Sequence, residues 1–147
     1  MQEQRIKETN KIYMGNRKRQ SAQAIKESKK SLSLAILRDC PTSPRKMRLV
    51  ADQIRGKSIS NALSILKFSP KDASKKLEKL LLSAISNWQL KNEKEDIEKA
   101  KLFVSEIKVD GGKMLKRLRP APQGRAHRIR KRSNHVTVVL ESNLTQA

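Results

Sequence analysis

Apolar residues fall on a helical period in three stretches of the chain. Met47, Val50, Ala51 and Ile54 stand at i, i+3, i+4 and i+7 and form one stripe. Ser43 and Pro44 precede it as cap and first-turn residue, and Gly56 follows where positive φ is usual. Ile59, Ala62, Leu63 and Leu66 predict a second short helix over Ser58 to Phe68. Ser69-Pro70 announces a third, with Asp72 suited to its first turn. Ala73, Leu77, Leu80, Leu81, Ala84, Ile85 and Trp88 then stay in phase to about Leu90, roughly 30 Å at ~1.5 Å per residue. Trp88 ends that stripe and reads as core.

Farther along, the period drops to two. Leu102 to Val109 alternates, with Phe103, Ile107 and Val109 on one face, and Val136 to Leu140 is rich in β-branched residues. Leu32 to Leu37 predicts a third strand beside these two. Between Val109 and Val136 lie 26 residues with no helical stripe. Pairing Phe103 with Leu140 sets the midpoint between Ala121 and Pro122. The surrounding Arg119-Pro120-Ala121-Pro122-Gln123-Gly124 is turn chemistry. Pattern and turn agree on one hairpin over about 102–141 with its tip at about 119–124. Its far half reaches roughly 36 Å past the strand pair at ~3.3 Å per residue. The expected fold is α+β: three helices packed on a small antiparallel sheet with a long protruding β-hairpin. It occupies a single domain over 31–147. Residues 1–30, polar and basic with scattered apolar positions, predict a basic N-terminal extension, mobile until it meets a partner.

Charge turns this outline into a hypothesis about partners. The 147 residues hold 34 Lys and Arg against 14 Asp and Glu, a formal charge of +20. Residues 51–110 are nearly balanced, with 12 basic and 9 acidic groups, whereas residues 111–147 carry 9 and 1. Lys113 to Arg132 contains nine cations and no anion. A solvated surface normally mixes signs, so this block points to a polyanion. Two bare strands so charged are marginal in water, and like charges across a ladder destabilise it further. Three cations in the first turn of the first helix oppose the helix dipole unless something anionic lies outside. Candidate contacts to such a polyanion, RNA or DNA, are Arg17, Lys18 and Arg19; Ser43, Arg45, Lys46 and Arg48; Lys113, Lys116 and Arg117; and Arg128, Arg130, Lys131, Arg132, Ser133 and His135. Arg119, Pro120, Ala121, Pro122, Gln123, Gly124 and Arg125 form the tip.

Catalytic chemistry finds little support. The two histidines, His127 and His135, lie in the basic hairpin, and the nearest carboxylate in sequence is Glu141. General acid–base work needs such groups in a pocket with tuned pKa values. Glu93, Glu95, Asp96 and Glu98 are interleaved with lysines and read as a solvated connection, not a metal site. The lone Cys40 reads as a buried thiol. No cofactor and no metal are expected. Neither is a membrane partner, since no apolar run approaches the ~20 residues of a span.

The run Gly124-Arg125-Ala126-His127-Arg128-Ile129-Arg130-Lys131-Arg132-Ser133-Asn134-His135-Val136-Thr137-Val138-Val139 resembles the closing signature of the bacterial large-subunit ribosomal protein family numbered twenty-two. The segment from Ser43 to Lys57 resembles that family's first helix. The two motifs stand in the right order, and the resemblance covers roughly residues 32–141. It implies an α+β body on large-subunit rRNA, a hairpin running inward, and a tip lining the nascent-peptide exit tunnel. Implied partners are that rRNA, neighbouring large-subunit proteins and the nascent peptide. The implied location is the large ribosomal subunit in the cytoplasm. Arg119 to Arg125 would stand at the tunnel wall, with the flanking cations against rRNA. Residues 1–30 precede the family's usual start, so no contact is carried onto them, and Gln123 stands where members often have a basic residue. The rival reading from the residues alone is a DNA-bending architectural protein whose arm wedges Pro120 and Pro122 into a minor groove.

Overall fold

The computed structural model describes residues 2–93 and 100–142, with side chains for 16–30, 32–93 and 100–142. Glu95, Asp96 and Glu98 of the acidic cluster lie outside the described residues. Two compact units divide the chain, Met1–Leu32 and Ser33–Ala147.

The first unit is one helix, α1 (Gln2–Ser31). The hydrophobic pattern gave no reason to place an element there. The helix rests on composition instead: Glu, Gln, Lys, Arg and Ala are strong helix formers with or without an apolar face. Lys29 and Lys30 in its last turn also complement the helix dipole.

The second unit runs β1 (Ser33–Cys40), α2 (Pro44–Ile54), α3 (Ile59–Phe68), α4 (Asp72–Lys91), β2 (Leu102–Pro120) and β3 (Ala126–Ser142). The sheet is antiparallel in the order β1-β3-β2, so the third expected strand joins the hairpin through β3. The expected stripe of α2 is buried at all four positions, Met47, Val50, Ala51 and Ile54. Leu66 of α3, Leu77 and Leu81 of α4 and Leu140 of β3 complete the interior, with Cys40 and Trp88 also buried. Each such large side chain withdrawn from water stabilises the fold by about 1.5–3 kcal/mol. Gly56 takes the positive φ expected after α2. The start of α4 is later than expected: Lys71 occupies the cap position, and Ser69 instead closes α3, donating its N–H to Ile65.

Two expectations about the hairpin need correction, for one reason. Register slips by a residue on β2 between Val104 and Glu106 and again between Gly111 and Met114. Each slip is a β-bulge, an extra residue facing one partner residue. The first bulge resets the alternation, so Leu102, Val104, Ile107 and Val109 are buried while Phe103 lies on the other face, opposite Glu141. The two together move the turn. Pro120 pairs with Ala126, so the hairpin centres on Gln123 and not between Ala121 and Pro122.

Candidate nucleic-acid interface

Beyond Val109 and Asn134 the hairpin leaves the core, and from Lys113 to Ser133 no residue is buried. This is the finger. Its register assigns side chains to faces, because directly opposed residues point the same way. One face carries Met114, Lys116 and Leu118 with Arg132, Arg130 and Arg128 opposite them. The other carries Leu115, Arg117 and Arg119 with Lys131, Ile129 and His127. Both faces are therefore cationic.

The register also revises the expectation of strong repulsion across the ladder. Met114 faces Arg132, Leu115 faces Lys131, Ile129 faces Arg117 and Leu118 faces Arg128. A long basic side chain can lay its methylene stem along such a neighbour and keep its head in solvent. Only Lys116 and Arg130 oppose one Lys or Arg with another along this stretch. The two bulges put the arms in this phase.

At the tip, the Ala121 N–H donates to the Arg125 carbonyl at 2.8 Å and closes the turn. Gln123 and Gly124 both adopt left-handed φ, +62° and +69°. Gly124 does so without steric cost, whereas Gln123 is a residue type that rarely goes there. Arg119, Pro120, Gln123, Gly124 and Arg125 are all exposed, as is Pro122, while Ala121 is half-buried.

The finger's root is built around Asn134. Asn134 is fully buried and donates from Nδ2 to the Thr42 carbonyl at 2.6 Å. On one side of it, the β2 bulge at Gly112 and Lys113 faces Ser133, whose hydroxyl donates to the Lys113 carbonyl. On the other, β1 bulges at Arg38 and Asp39 opposite His135. Asp39 has φ +52°, and its backbone N–H donates to Nδ1 of His135 at 3.0 Å. A neutral His135 thus carries its proton on Nε2. Ser133 and His135, expected to contact RNA, are both engaged within the root. Gly112 permits the close approach: a Cβ there would stand 2.7 Å from Ser133 Oγ and 3.2 Å from His135 Nε2.

Thr42 extends this network to the helices. Its Oγ1 lies 2.9 Å from Cys40 Sγ and accepts from Lys76 Nζ at 3.2 Å. Lys76 also pairs with Asp72 at 2.7 Å. That hydrogen bond and the lysine's charge hold the Asp72 carboxyl below the usual carboxylate range, and the same bond raises the Lys76 ammonium above its usual value. The loop so tied leads straight into α2 and positions its first turn, where Arg45 and Lys46 are exposed. Ser43 stands at the cap position, but its hydroxyl makes no cap hydrogen bond.

Arg48 and Arg55 are placed differently from the rest of that basic face. β2 is an outer strand of the sheet, so part of its backbone has no strand to pair with. Arg48 Nη2 donates to the Val109 carbonyl at 2.9 Å, and Arg55 Nη2 to the Ile107 carbonyl at 3.2 Å. Arg55 also bridges to Asp52 at 2.8 Å. Helix α2 thereby caps the strand edge with guanidinium groups. Sequence reasoning placed Arg48 on a phosphate-facing surface and missed this task. It also missed Gly112, although paired glycines inside an alternating stretch are a usual sign of a bulge. Nothing in the sequence marked Asn134 as buried.

In α1, Arg17, Lys18 and Arg19 are exposed, as are all residues from 16 to 30. They belong to a separate unit from the finger and α2.

Comparison with known proteins matches residues 35–141 to the family described as ribosomal protein L22p/L17e. The chain is 68% identical over 130 residues to the large ribosomal subunit protein uL22 of Christiangramia forsetii, covering 88% of this chain and 96% of that one. It is 67% identical over 135 residues to its counterpart in Flavobacterium johnsoniae, covering 91% and 98%. With the protein of the same name from Bacteroides fragilis it shares 59% over 129 residues, 88% and 94% of the two chains. A match covering 91% of 147 residues takes in at least half of residues 1–30, so that part of the extension is shared with this relative though it precedes the segment matched to the family. By both measures the chain belongs to the L22p/L17e family of ribosomal proteins.

Proposed function

We propose that the protein is a structural constituent of the large ribosomal subunit that binds its rRNA through the finger and the first turn of α2, with the finger tip at the wall of the nascent-peptide exit tunnel. Family membership supports the ribosomal role and the cytoplasmic location that goes with it in bacteria. It leaves the DNA-bending alternative without support.

One observation carries the RNA contact: a nine-cation finger with no anion, cationic on both faces. A protein that merely rests on RNA needs one charged face. Charge on both faces suits insertion between RNA segments, where phosphates neutralise each side. Apolar residues interleaved on those faces suit packing against sugars and bases. The tip carries different chemistry, with two prolines, a glutamine and a glycine between Arg119 and Arg125. That composition, together with the family resemblance, supports the tunnel wall. Neighbouring large-subunit proteins are the further partners of the proposal, and its role is architectural, not catalytic.

Salt dependence of binding tests the reading. With about eight phosphates neutralised, the logarithm of affinity for large-subunit rRNA should fall with log salt at a slope of roughly −6 to −7. Replacing Arg128, Arg130 and Arg132 by Ala should make it shallower by about 2. A wild-type slope near −1, or tagged protein sedimenting with the nucleoid and not with large subunits, would refute the proposal.

A further inference from the structure

The fifteen residues from Asn16 to Lys30 of α1 carry six cations and one anion, and the helix sorts them. At 3.6 residues per turn, Lys18, Arg19, Lys26, Lys29 and Lys30 fall within about a third of the circumference. Ala22 is the one other residue of this stretch in that sector. The remaining two-thirds hold Arg17 and Glu27 among neutral residues, so they are uncharged in sum. The result is a one-sided cationic rail about 16 Å long from Lys18 to Lys29 at ~1.5 Å rise per residue.

We infer that this rail is a second RNA-binding surface, laid along a phosphate backbone of the large-subunit rRNA with the neutral side turned away. The inference rests on the ribosomal reading above. It differs from the finger in kind, being one-sided where the finger is two-sided.

The chemistry of the rail selects the occupant. A membrane-surface helix needs an apolar face beside its cations, and a protein partner needs aromatic or aliphatic anchors. Among residues 16–30 the only large apolar side chain is Ile25, which lies outside the cationic sector. A regular line of phosphates asks for charge alone. The helix gains as well. Lys26 and Lys29 are like charges at i, i+3, neighbours on the helix surface, and such pairs weaken a stretch that has no apolar stripe to hold it. A polyanion along the same line removes that repulsion.

The test uses the full-length chain and large-subunit rRNA. One variant neutralises the rail with Lys18→Gln, Arg19→Gln, Lys26→Gln and Lys29→Gln. A second adds Gln20→Lys, Ser21→Lys, Ala24→Lys and Ser28→Lys, restoring net charge on the opposite side. Gln and Lys have similar helix propensities, and circular dichroism checks that α1 persists. Both variants should show a salt slope shallower by about 3. Wild-type behaviour of the second variant would overturn the inference, because charge without position would then suffice. Wild-type slopes for both, with the Arg128, Arg130 and Arg132 variant still shallower, would overturn the rail and leave the finger standing. Failure of all three to change the slope would overturn the ribosomal reading with it. Rail-dependent binding to phosphatidylserine vesicles, with no rail dependence on RNA, would assign the surface to lipid and reject the inference.

Discussion

Arginines within one short helix divide into two jobs, and substitution should separate them. Arg45 is exposed and makes no hydrogen bond or ion pair among the described residues, whereas Arg48 donates to the Val109 carbonyl. Arg48→Ala should cost about 1 kcal/mol of stability, the usual worth of such a hydrogen bond. Arg45→Ala should stay within about 0.5 kcal/mol, while weakening rRNA binding. Denaturant unfolding and salt-dependent binding measured on both variants check the division. Adjacent glycines offer a second contrast. Gly112→Ala pushes a methyl group against Ser133, whose hydroxyl is held by the Lys113 carbonyl, and overpacking of this kind costs about 1–3 kcal/mol. Gly111→Ala meets nothing within 4 Å and should be near neutral or slightly stabilising in the same thermal melts.

At the scale of elements, the ends of α4 and the phase of β2 show what could be read from sequence. The α2 stripe was legible because Met47, Val50, Ala51 and Ile54 repeat at helical spacing and all face one core. Phe103 was misplaced because strict alternation assumes an unbroken ladder, and an extra residue after Val104 breaks it. Helix α1 was invisible to a method that looks for apolar stripes, since it has none. Burial of Asn134 depends on Thr42, 92 positions away, and no local pattern encodes that. At the first turn of α4 the Asp72–Lys76 pair makes a pH prediction with a definite sign. The carboxyl of Asp72 is depressed in the fold, so its contribution is complete above the ordinary carboxylate range and fades as pH falls through the depressed value. The raised Lys76 acts oppositely: its share is present below the ordinary lysine range and is lost as pH rises through the raised value. Asp72→Asn should flatten both flanks of the stability–pH profile. An unaltered acid flank in melts of that variant would contradict the pairing.

For the molecule as a whole, the proposed attachment and the proposed tunnel contact should be separable. Excising Ala121 to Gly124 removes the turn and no Lys or Arg. The arms below keep their pairing and can close around a shorter connection. Incorporation into large subunits should survive nearly unchanged, because phosphate contacts supply most of the affinity. Passage of arrest-prone nascent peptides, or the response to small molecules bound in the tunnel, should change. A truncated chain that folds yet fails to enter subunits would make the tip an attachment element instead.

The bulge at Gly112 means that the finger's aim is written separately from its chemistry. Bulges bend a strand and tighten its twist, and this one stands where the finger departs from the core. A chain lacking Gly112 alone would bring Lys113 opposite Ser133 and leave every pairing from Met114 to Pro120 as it is. Its cations, its two faces and its tip would be unaltered, but pointed elsewhere. Such a chain should hold free rRNA with the wild-type salt slope and still miss its channel during subunit assembly, a key with the right teeth cut on a bent shank.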